Sequence, residues 1–553
     1  MTAGRHQGER ITRGGVVRMV VATGLVLSMA AACGSSKAST TSAADQSGAT
    51  ADGTAVDGGS LVFAVAAETA GWNPHSSQWG QYGAMVGSSV LEPLATMGPD
   101  NGAKPFLATG WIANDTFTSW QITLRDDVVF QNGEKFDAEA VKLNLEDAVS
   151  GPLSGQALGG LFKDISVVDD HTVLVNLTQP WAAFPSSFLD GQSASMMAPE
   201  MLKKSDHGVT HPIGTGPFTF DSWEPNDVFK VKKNPTYWQK GLPHLDQLEF
   251  KVMPDSSSRS AALQAGDINM MITTSAVDAN NLASDFTVIK DWSTEPDMIM
   301  TNTIASIDGK ANPLSNEHAR KALVYATDRK AVAASVGEGV QSPTSAFAPD
   351  NPWGRPEDQN GYPDFDLAKA KEEVAAYEAE TGTSSLKFSL SGIADVDTSK
   401  VLQLVQSQWK DAGIDASIES VESTEYIGKV IKGDYNAAMF QLYSSPDPDQ
   451  NHYFWAADTI KGYGGVNINM TQYTTDQMQV DLATGRTSGY PDVRKKAYDD
   501  LVTQLNASST NIWLYWTPFS IVADKSVHGL QSASTTPFGN FQPKTWLAEL
   551  WHQ

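Results

Sequence analysis

Pro212-Ile213-Gly214-Thr215-Gly216-Pro217-Phe218 is the stretch on which the reading of this chain turns. Each proline fixes φ and removes a backbone donor, and each glycine admits φ values closed to other residues, so a tight, pre-shaped crossover into a strand is expected. The segment holds too many breakers for a helix and too many constraints for a flexible tether. Standing alone it reads as an ordinary turn.

Its flanks add more. Downstream come Trp223, Asn234-Pro235-Thr236-Tyr237-Trp238, Leu245-Asp246, Met253-Pro254-Asp255, Arg259 and Ala262-Leu263-Gln264-Ala265-Gly266-Asp267-Ile268. Upstream, Trp120, Ile122 and Leu124 alternate as on a half-buried strand, and Arg125-Asp126-Asp127-Val128-Val129-Phe130-Gln131-Asn132-Gly133 closes on an Asn-Gly turn. A later helix carries Arg320, Ala322, Leu323 and Ala326 and runs into Thr327-Asp328-Arg329. Together these resemble the peptide/nickel class (family 5) of solute-binding proteins that serve ABC importers. In that class a GTGP(Y/F) turn leads into a strand, an NPxYW step and a helix ending in an LQ(A/S)GxxD-like pattern. Asp127 stands where the class usually has glycine, and Arg125 is expected to be a structural ion-pair partner.

The resemblance implies an α/β fold, a two-lobed clamshell of the periplasmic-binding-protein type II kind with an extra domain inserted in the first lobe. The expected division is a signal peptide over 1–32 and a lipid-anchored disordered linker over 33–59. Lobe I would comprise 60–88, 212–301 and 519–553, the extra domain 89–211, and lobe II 302–518. The chain would cross between lobes near Asn302 and near Pro518, with the ligand bound between them.

Composition agrees with a large folded body. The chain has 553 residues, 41% of them hydrophobic, enough for two or more domains. Without residues 1–32, which hold Arg5, Arg10, Arg13, Arg18 and Glu9, 35 basic and 63 acidic residues remain, a net charge near −28. A surface this acidic repels phosphate backbones and anionic head groups, so neither nucleic-acid binding nor electrostatic membrane docking is expected.

Arg5 to Arg18 form a positive segment and Met19 to Ala32 an apolar one too short to span a bilayer, the pattern of a secretion signal. It closes on Ala30-Ala31-Ala32-Cys33-Gly34-Ser35-Ser36, which resembles a bacterial lipobox with Ala30 where leucine is preferred. That resemblance implies cleavage before Cys33 and lipidation of its sulfur, placing the protein on the outer face of the cell membrane. Gly34 to Gly59 is rich in Ser, Thr, Ala and Gly and is expected to be a disordered tether.

In the body, Leu61 to Val65 reads as a buried strand. Asp137 is expected to cap a helix carrying Ala138, Val141, Leu145, Ala148 and Val149, Ser315 to cap the helix of Arg320, and Asp328 the helix after it. Asp366 should start a helix bearing Leu367, Ala370, Val374 and Tyr377 that stops at Gly382. Leu402, Val405, Trp409 and Ala412 line another helix ending at Gly413, after which Ile414, Ala416 and Ile418 alternate into a strand.

Ala437 to Tyr443 is a strand running into Ser444-Ser445-Pro446-Asp447-Pro448-Asp449-Gln450-Asn451, the ligand-facing turn of lobe II in the family. The family's peptide binders carry there an aspartate that pairs with the ligand's α-ammonium group. The matching position is Ser444, which can accept a hydrogen bond but cannot neutralise a cation, so Asp447 or Asp449 could take the role. The expected ligand contacts are Trp72, Tyr443, Ser444, Asp447, Trp455, Asn467 and Trp516, the rings offering flat faces to side chains, sugars or cations.

His207 and His211 share a helical spacing, but Gly208 and Pro212 break the helix and no third ligand lies near, so no resident metal is expected. His452 could touch a metal chelate. No G-x-S-x-G elbow, Walker A loop or H-E-x-x-H pair occurs, and no cofactor or enzymatic activity is expected. The expected function is capture of an oligopeptide-like solute by a monomer that hands it to the permease subunits of an ABC importer. The alternatives are the same fold binding an oligosaccharide or metal chelate, a related sensor that binds ligand without transport, and a secreted glycoside hydrolase using two carboxylates.

Overall fold

The computed structural model describes residues 54–77, 79–98, 102–151, 155, 158–291, 296–442, 447–530 and 545–553. The expected signal segment, the tether up to residue 53, Cys33, Tyr443 and Ser444 lie outside the described residues. None of the described helices is long and apolar enough to cross a membrane.

Three sheets of four or more strands organise the described residues. The largest has the strand order Phe218–Glu224, Val228–Lys233, Gln247–Val252, Ser60–Val65, Met270–Thr273, Phe519–Ala523, Thr287–Asp291. Ser60–Val65 lies in its middle, parallel to both neighbours, and Leu61, Phe63, Ala64 and Val65 are all buried. That explains its continuous apolar run: a parallel strand covered on both faces has no wet side to alternate with.

A five-stranded sheet has the order Ile414–Val421, Leu386–Ile393, Ala437–Gln441, Pro296–Thr301, Asn511–Trp516. A four-stranded antiparallel sheet has the order Ala108–Ala113, Ser119–Leu124, Thr172–Leu177, Phe162–Asp169. On its second strand Trp120, Ile122 and Leu124 are buried while Gln121 and Thr123 face water. Each such side chain contributes about 1.5–3 kcal/mol on burial.

The apolar core of the seven-stranded sheet is continuous with that of the four-stranded sheet, joining Phe63, Phe218 and Ile521 to Ile122, Val175 and Phe184. The five-stranded sheet has a separate core of its own, with Ile299, Leu390, Leu402, Trp409, Leu501 and Ile512. A smaller cluster of Ala64, Leu263, Ile268, Met271, Leu282 and Val522 also lies on the seven-stranded sheet, so the two large cores define two lobes and the four-stranded part belongs with the first.

The chain passes between the seven- and five-stranded sheets twice. One passage lies between Asp291 and Pro296, the other between Trp516 and Phe519, where Pro518 stands. The first therefore falls ahead of the position expected at Asn302. The reason is pairing: Pro296–Thr301 is already held between Ala437–Gln441 and Asn511–Trp516, and the buried amide of Asn302 donates to the carbonyls of Gly433 and Tyr435.

The Pro-Gly-Thr-Gly-Pro crossover owes its glycines to proximity. Neither Gly214 nor Gly216 takes a positive φ, contrary to the simplest reading of the motif. A Cβ on Gly214 would lie 2.3 Å from the Val90 carbonyl oxygen, and one on Gly216 2.6 Å from the Val90 carbonyl carbon. The main chains touch: Gly216 N donates to Val90 O at 2.9 Å and Phe218 N to Ser89 O at 2.9 Å. Thr215, Tyr237 and Trp238, from the crossover and the NPxYW step, all donate to the buried carboxylate of Glu92, at 2.7, 2.7 and 3.0 Å. Burial pushes that carboxyl up to about 7, with the three hydrogen bonds and Arg125 pulling the other way. Arg125 pairs with Asp127 at 2.7 Å and lies 4.2 Å over the Trp238 ring.

The helix starts follow the caps. Asp137, Asp328 and Asp366 each accept from the first turn of their helices, Ala138–Ser150, Arg329–Val336 and Leu367–Thr381, and the last of these stops at Gly382 in the left-handed region. The helix Glu317–Ala326 is capped by Asn316 rather than Ser315, because the preceding short turn Pro313–Ser315 is itself capped by Asn312 and moves the start by one residue.

Candidate functional site

Where the five-stranded sheet meets the two passages, its strands present a row of polar groups. Leu386–Ile393 and Ala437–Gln441 run parallel and both end toward this boundary, the place where open α/β sheets bind ligands. Gln441, Asp297 and Tyr515 sit opposite one another on three adjacent antiparallel strands, so their side chains share a face. Thr517, inside the second passage, donates to Asp297 Oδ2 at 2.7 Å and accepts from Gln441 Nε2 at 2.9 Å. Asp395, just beyond Ile393, caps the helix Val396–Asp411 by accepting from the amides of Asp397 and Thr398.

Burial pushes the half-buried Asp297 carboxyl up to about 7; the Thr517 hydrogen bond opposes the shift and the Asp395 charge adds to it. The Tyr515 hydroxyl is held well above its ordinary range by burial and then by Asp297 and Asp395.

A second cluster joins the four-stranded part to the far lobe. The turn Pro448–Phe454 begins at Asp447, which is 2% exposed and pairs with Arg494 at 2.6 Å while accepting from Ser186 Oγ at 2.6 Å. Asp449, 1% exposed, pairs with Arg486 at 2.8 Å and accepts from Trp181 Nε1 at 2.6 Å. Gln450 Nε2 donates to Ser186 O and Asp190 Oδ1, and Ala182 N donates to Arg486 O at 2.8 Å.

Trp181 and its neighbours Phe184 and Phe188 belong to the first core, whereas Arg486 ends the helix Asp476–Thr487 packed on the second. The guanidiniums lie against aromatic faces, Arg486 5.2 Å from Trp181 and Arg494 4.5 Å from Trp353.

The electrostatics of this contact are divided. Burial opposes the charge of Asp449, but Arg486 holds its carboxyl below the usual range. Asp190 has no such partner: burial, then the Asp447 charge, hold its carboxyl well above that range. His452 is pushed down to about 4 by burial and by Arg486, and stays neutral.

The remaining expected contacts are placed as follows. Trp72 is 1% exposed, inside a ring cluster with Phe229 at 4.3 Å and Trp223 at 5.6 Å, and its Nε1 meets no acceptor. Trp455 is 4% exposed and edge-on to Phe347. Asn467, fully buried, braces its own loop through Lys461 N and the carbonyls of Ile431, Gly462 and Gly465. Trp516, 3% exposed, donates to Glu357 at 3.2 Å beside the second passage.

The structure thus gathers Asp447 with Asp449 and sets Trp516 next to Asp297, leaving Trp72 and Asn467 apart. Sequence reasoning missed Asp297, Trp181, Ser186, Asp190, Arg486 and Arg494, whose partners are distant in the chain. The one available signal was a pair of basic residues, Arg486 and Arg494, on helices otherwise facing the core. Among the described residues no group of three His, Cys, Asp or Glu side chains could hold a metal ion.

Two lobes with separate cores, joined by two passages and flanked by a domain fused to the first, make this a two-lobed solute-binding clamshell. Residues 102–463 match the model of the bacterial extracellular solute-binding proteins, family 5, and the chain belongs to that family. It is 29% identical over 431 residues to the glutathione-binding protein GsiB of Salmonella paratyphi A, covering 75% of this chain and 81% of that protein.

Its fold is similar to that of DppA from Helicobacter pylori in complex with the peptide STSA, with a TM-score of 0.77 and 21% identity over 90% of this chain and 98% of that one. It is also similar to AppA from Bacillus subtilis in complex with a nonapeptide, with a TM-score of 0.76 and 19% identity over 90% of this chain and all 100% of that one.

Proposed function

We propose that this protein captures an oligopeptide-like solute between its two lobes outside the cytoplasm and delivers it to the permease subunits of an ABC importer. The observation that carries this is the family membership together with two lobes that, among the described residues, are joined by two chain passages. A ligand touching both lobes favours the closed arrangement by its extra contacts there, and closure marks the protein as loaded. The glutathione-binding relative supports a peptide-like solute over an oligosaccharide or a metal chelate.

On this reading lobe I comprises 60–88, 212–291 and 519–553, the extra domain 89–211, and lobe II 296–517, a partition supported by sheet membership. The ligand site takes in Trp516 together with Tyr443 and Ser444, while Trp72, Asp447, Trp455 and Asn467 stiffen the walls behind it. A lipid on Cys33 and a tether over 34–59 keep a monomer close to its permease, raising the effective concentration of one for the other.

The test is to purify the full chain without refolding, denature a portion and identify released solutes by mass spectrometry. Recovered peptides, which should also raise the melting temperature when added back, support the reading. A recovered glycan or metal chelate refutes the substrate class.

A further inference from the structure

Among the described residues, Asp297 is a half-buried carboxyl with a single side-chain donor and no basic partner. It lies in the first residues after one passage between lobes and touches the other through Thr517, so it stands where the two lobes join. One hydrogen bond, at 2.7 Å, reaches one of its two oxygens. Among the described residues no lysine, arginine or histidine pairs with it, and the nearby charge that acts on it is another acid, Asp395.

The other inter-lobe acids show the contrast. Asp447 and Asp449 each hold an arginine, and Glu92 receives three donors. Beside Asp297, on the same face, is the hydroxyl of Tyr515, a residue only 8% exposed with no hydrogen-bond partner among the described residues. A half-buried carboxyl, a neighbouring hydroxyl and the added field of Asp395 together make a place where a cation gains more than it would in water.

We propose that Asp297, with the Tyr515 hydroxyl and Thr517 beside it, receives a cationic group of the solute, an ammonium or a guanidinium. This rests on the solute-binding reading above and deepens it to solutes bearing a positive charge. It also bears on Ser444, which cannot neutralise a cation: Asp297, opposite Gln441, supplies a carboxylate that the sequence there lacks. Asp395 is committed to its helix cap, so it acts as a fixed charge and Asp297 as the direct contact. The alternative, a merely structural Asp297, gives no use to its second oxygen or to the Tyr515 hydroxyl.

The experiment is equilibrium dialysis of the full chain, stripped of solute, against an equimolar pool of synthetic tri- to pentapeptides lacking Lys, Arg and His. A second pool differs only in acetylated N-termini, and retained peptides are counted by mass spectrometry. A charge-assisted hydrogen bond of this kind corresponds to about tenfold or more in affinity. The wild type should therefore retain the free pool at least about tenfold better than the acetylated pool.

Asp297→Asn should abolish that preference without lowering the melting temperature, and Tyr515→Phe should weaken it. The exposed Asp358→Asn should leave it unchanged. Equal retention of the two pools by the wild type, or an unchanged preference in Asp297→Asn, overturns the inference and leaves solute binding standing. Retention of neither pool overturns the peptide-like reading and the inference with it. The acetylation arm needs no variant, so the outcome stands even if Asp297→Asn does not fold.

Discussion

Replacing Trp181 by phenylalanine should loosen the closed arrangement of the two lobes. The indole donates to Asp449 at 2.6 Å from a side chain packed against Phe162, Phe184 and Phe188, with ring centroids 6.2, 5.3 and 6.1 Å away. Phenylalanine keeps a ring among those neighbours and removes the N–H. A hydrogen bond to a charged group is worth about 1.5–3 kcal/mol, and the smaller ring adds roughly 1 kcal/mol of lost packing.

Because Trp181 is in the first core and Asp449 in the far lobe, rotation about the two passages separates them. The hydrogen-bond part should appear in the open–closed equilibrium as a shift of about 10- to 150-fold toward open. The assay is the distance distribution between spin labels on exposed sites of the two lobes, Val277 and Val396, read without ligand in wild type, Trp181→Phe, Asp449→Asn and the double variant. A non-additive double variant shows that the two residues act through one bond. An unchanged distribution in Trp181→Phe, with or without a lowered melting temperature, refutes the argument that this contact opens.

Further outcomes follow from other contacts. Arg494→Met removes the basic partner of the Asp447 carboxylate, 2% exposed, and should cost about 3–5 kcal/mol in urea unfolding, with much of it restored by adding Asp447→Asn. Gly216→Ala forces a Cβ to within 2.6 Å of the Val90 main chain and should cost at least about 1–3 kcal/mol by the same measurement. Glu92, held up to about 7 when folded, binds more protons folded than unfolded between about pH 4 and 7. Stability therefore falls as pH rises through that window, and Glu92→Gln should flatten this part of the melting-temperature profile. Asp366→Ala should cost about 1 kcal/mol through loss of the cap on Leu367–Thr381.

Much of the scaffold could be read from local pattern. Alternation at Trp120, Ile122 and Leu124, the caps at Asp137, Asp328 and Asp366 and the stop at Gly382 each depend on residues within a few positions. The Pro-Gly-Thr-Gly-Pro crossover was recognisable, but the reason for its glycines was not: the backbone they make room for, at Val90, lies more than a hundred residues earlier. The same limit governs the site. Periodicity says that Trp72 or Trp516 is buried somewhere, and nothing local distinguishes a ring inside a core from one beside a cleft. Asp449 looked like a free acid in a turn because Trp181 is 268 residues away. Asp297 was hidden in an ordinary strand, since its meaning depends on the absence of a basic neighbour in space.

The strand Ser60–Val65, central in the largest sheet, also has a mechanical consequence. It is bonded along its length to Gln247–Val252 and over its middle to Met270–Thr273. A pull delivered at residue 60 along the strand loads these two ladders in shear, many bonds at once. An edge strand or hairpin at the same end of the chain would instead unzip bond by bond. A protein tugged through its N-terminal end thus transmits the force into the middle of its first lobe and leaves the two passages, and the motion they permit, unloaded.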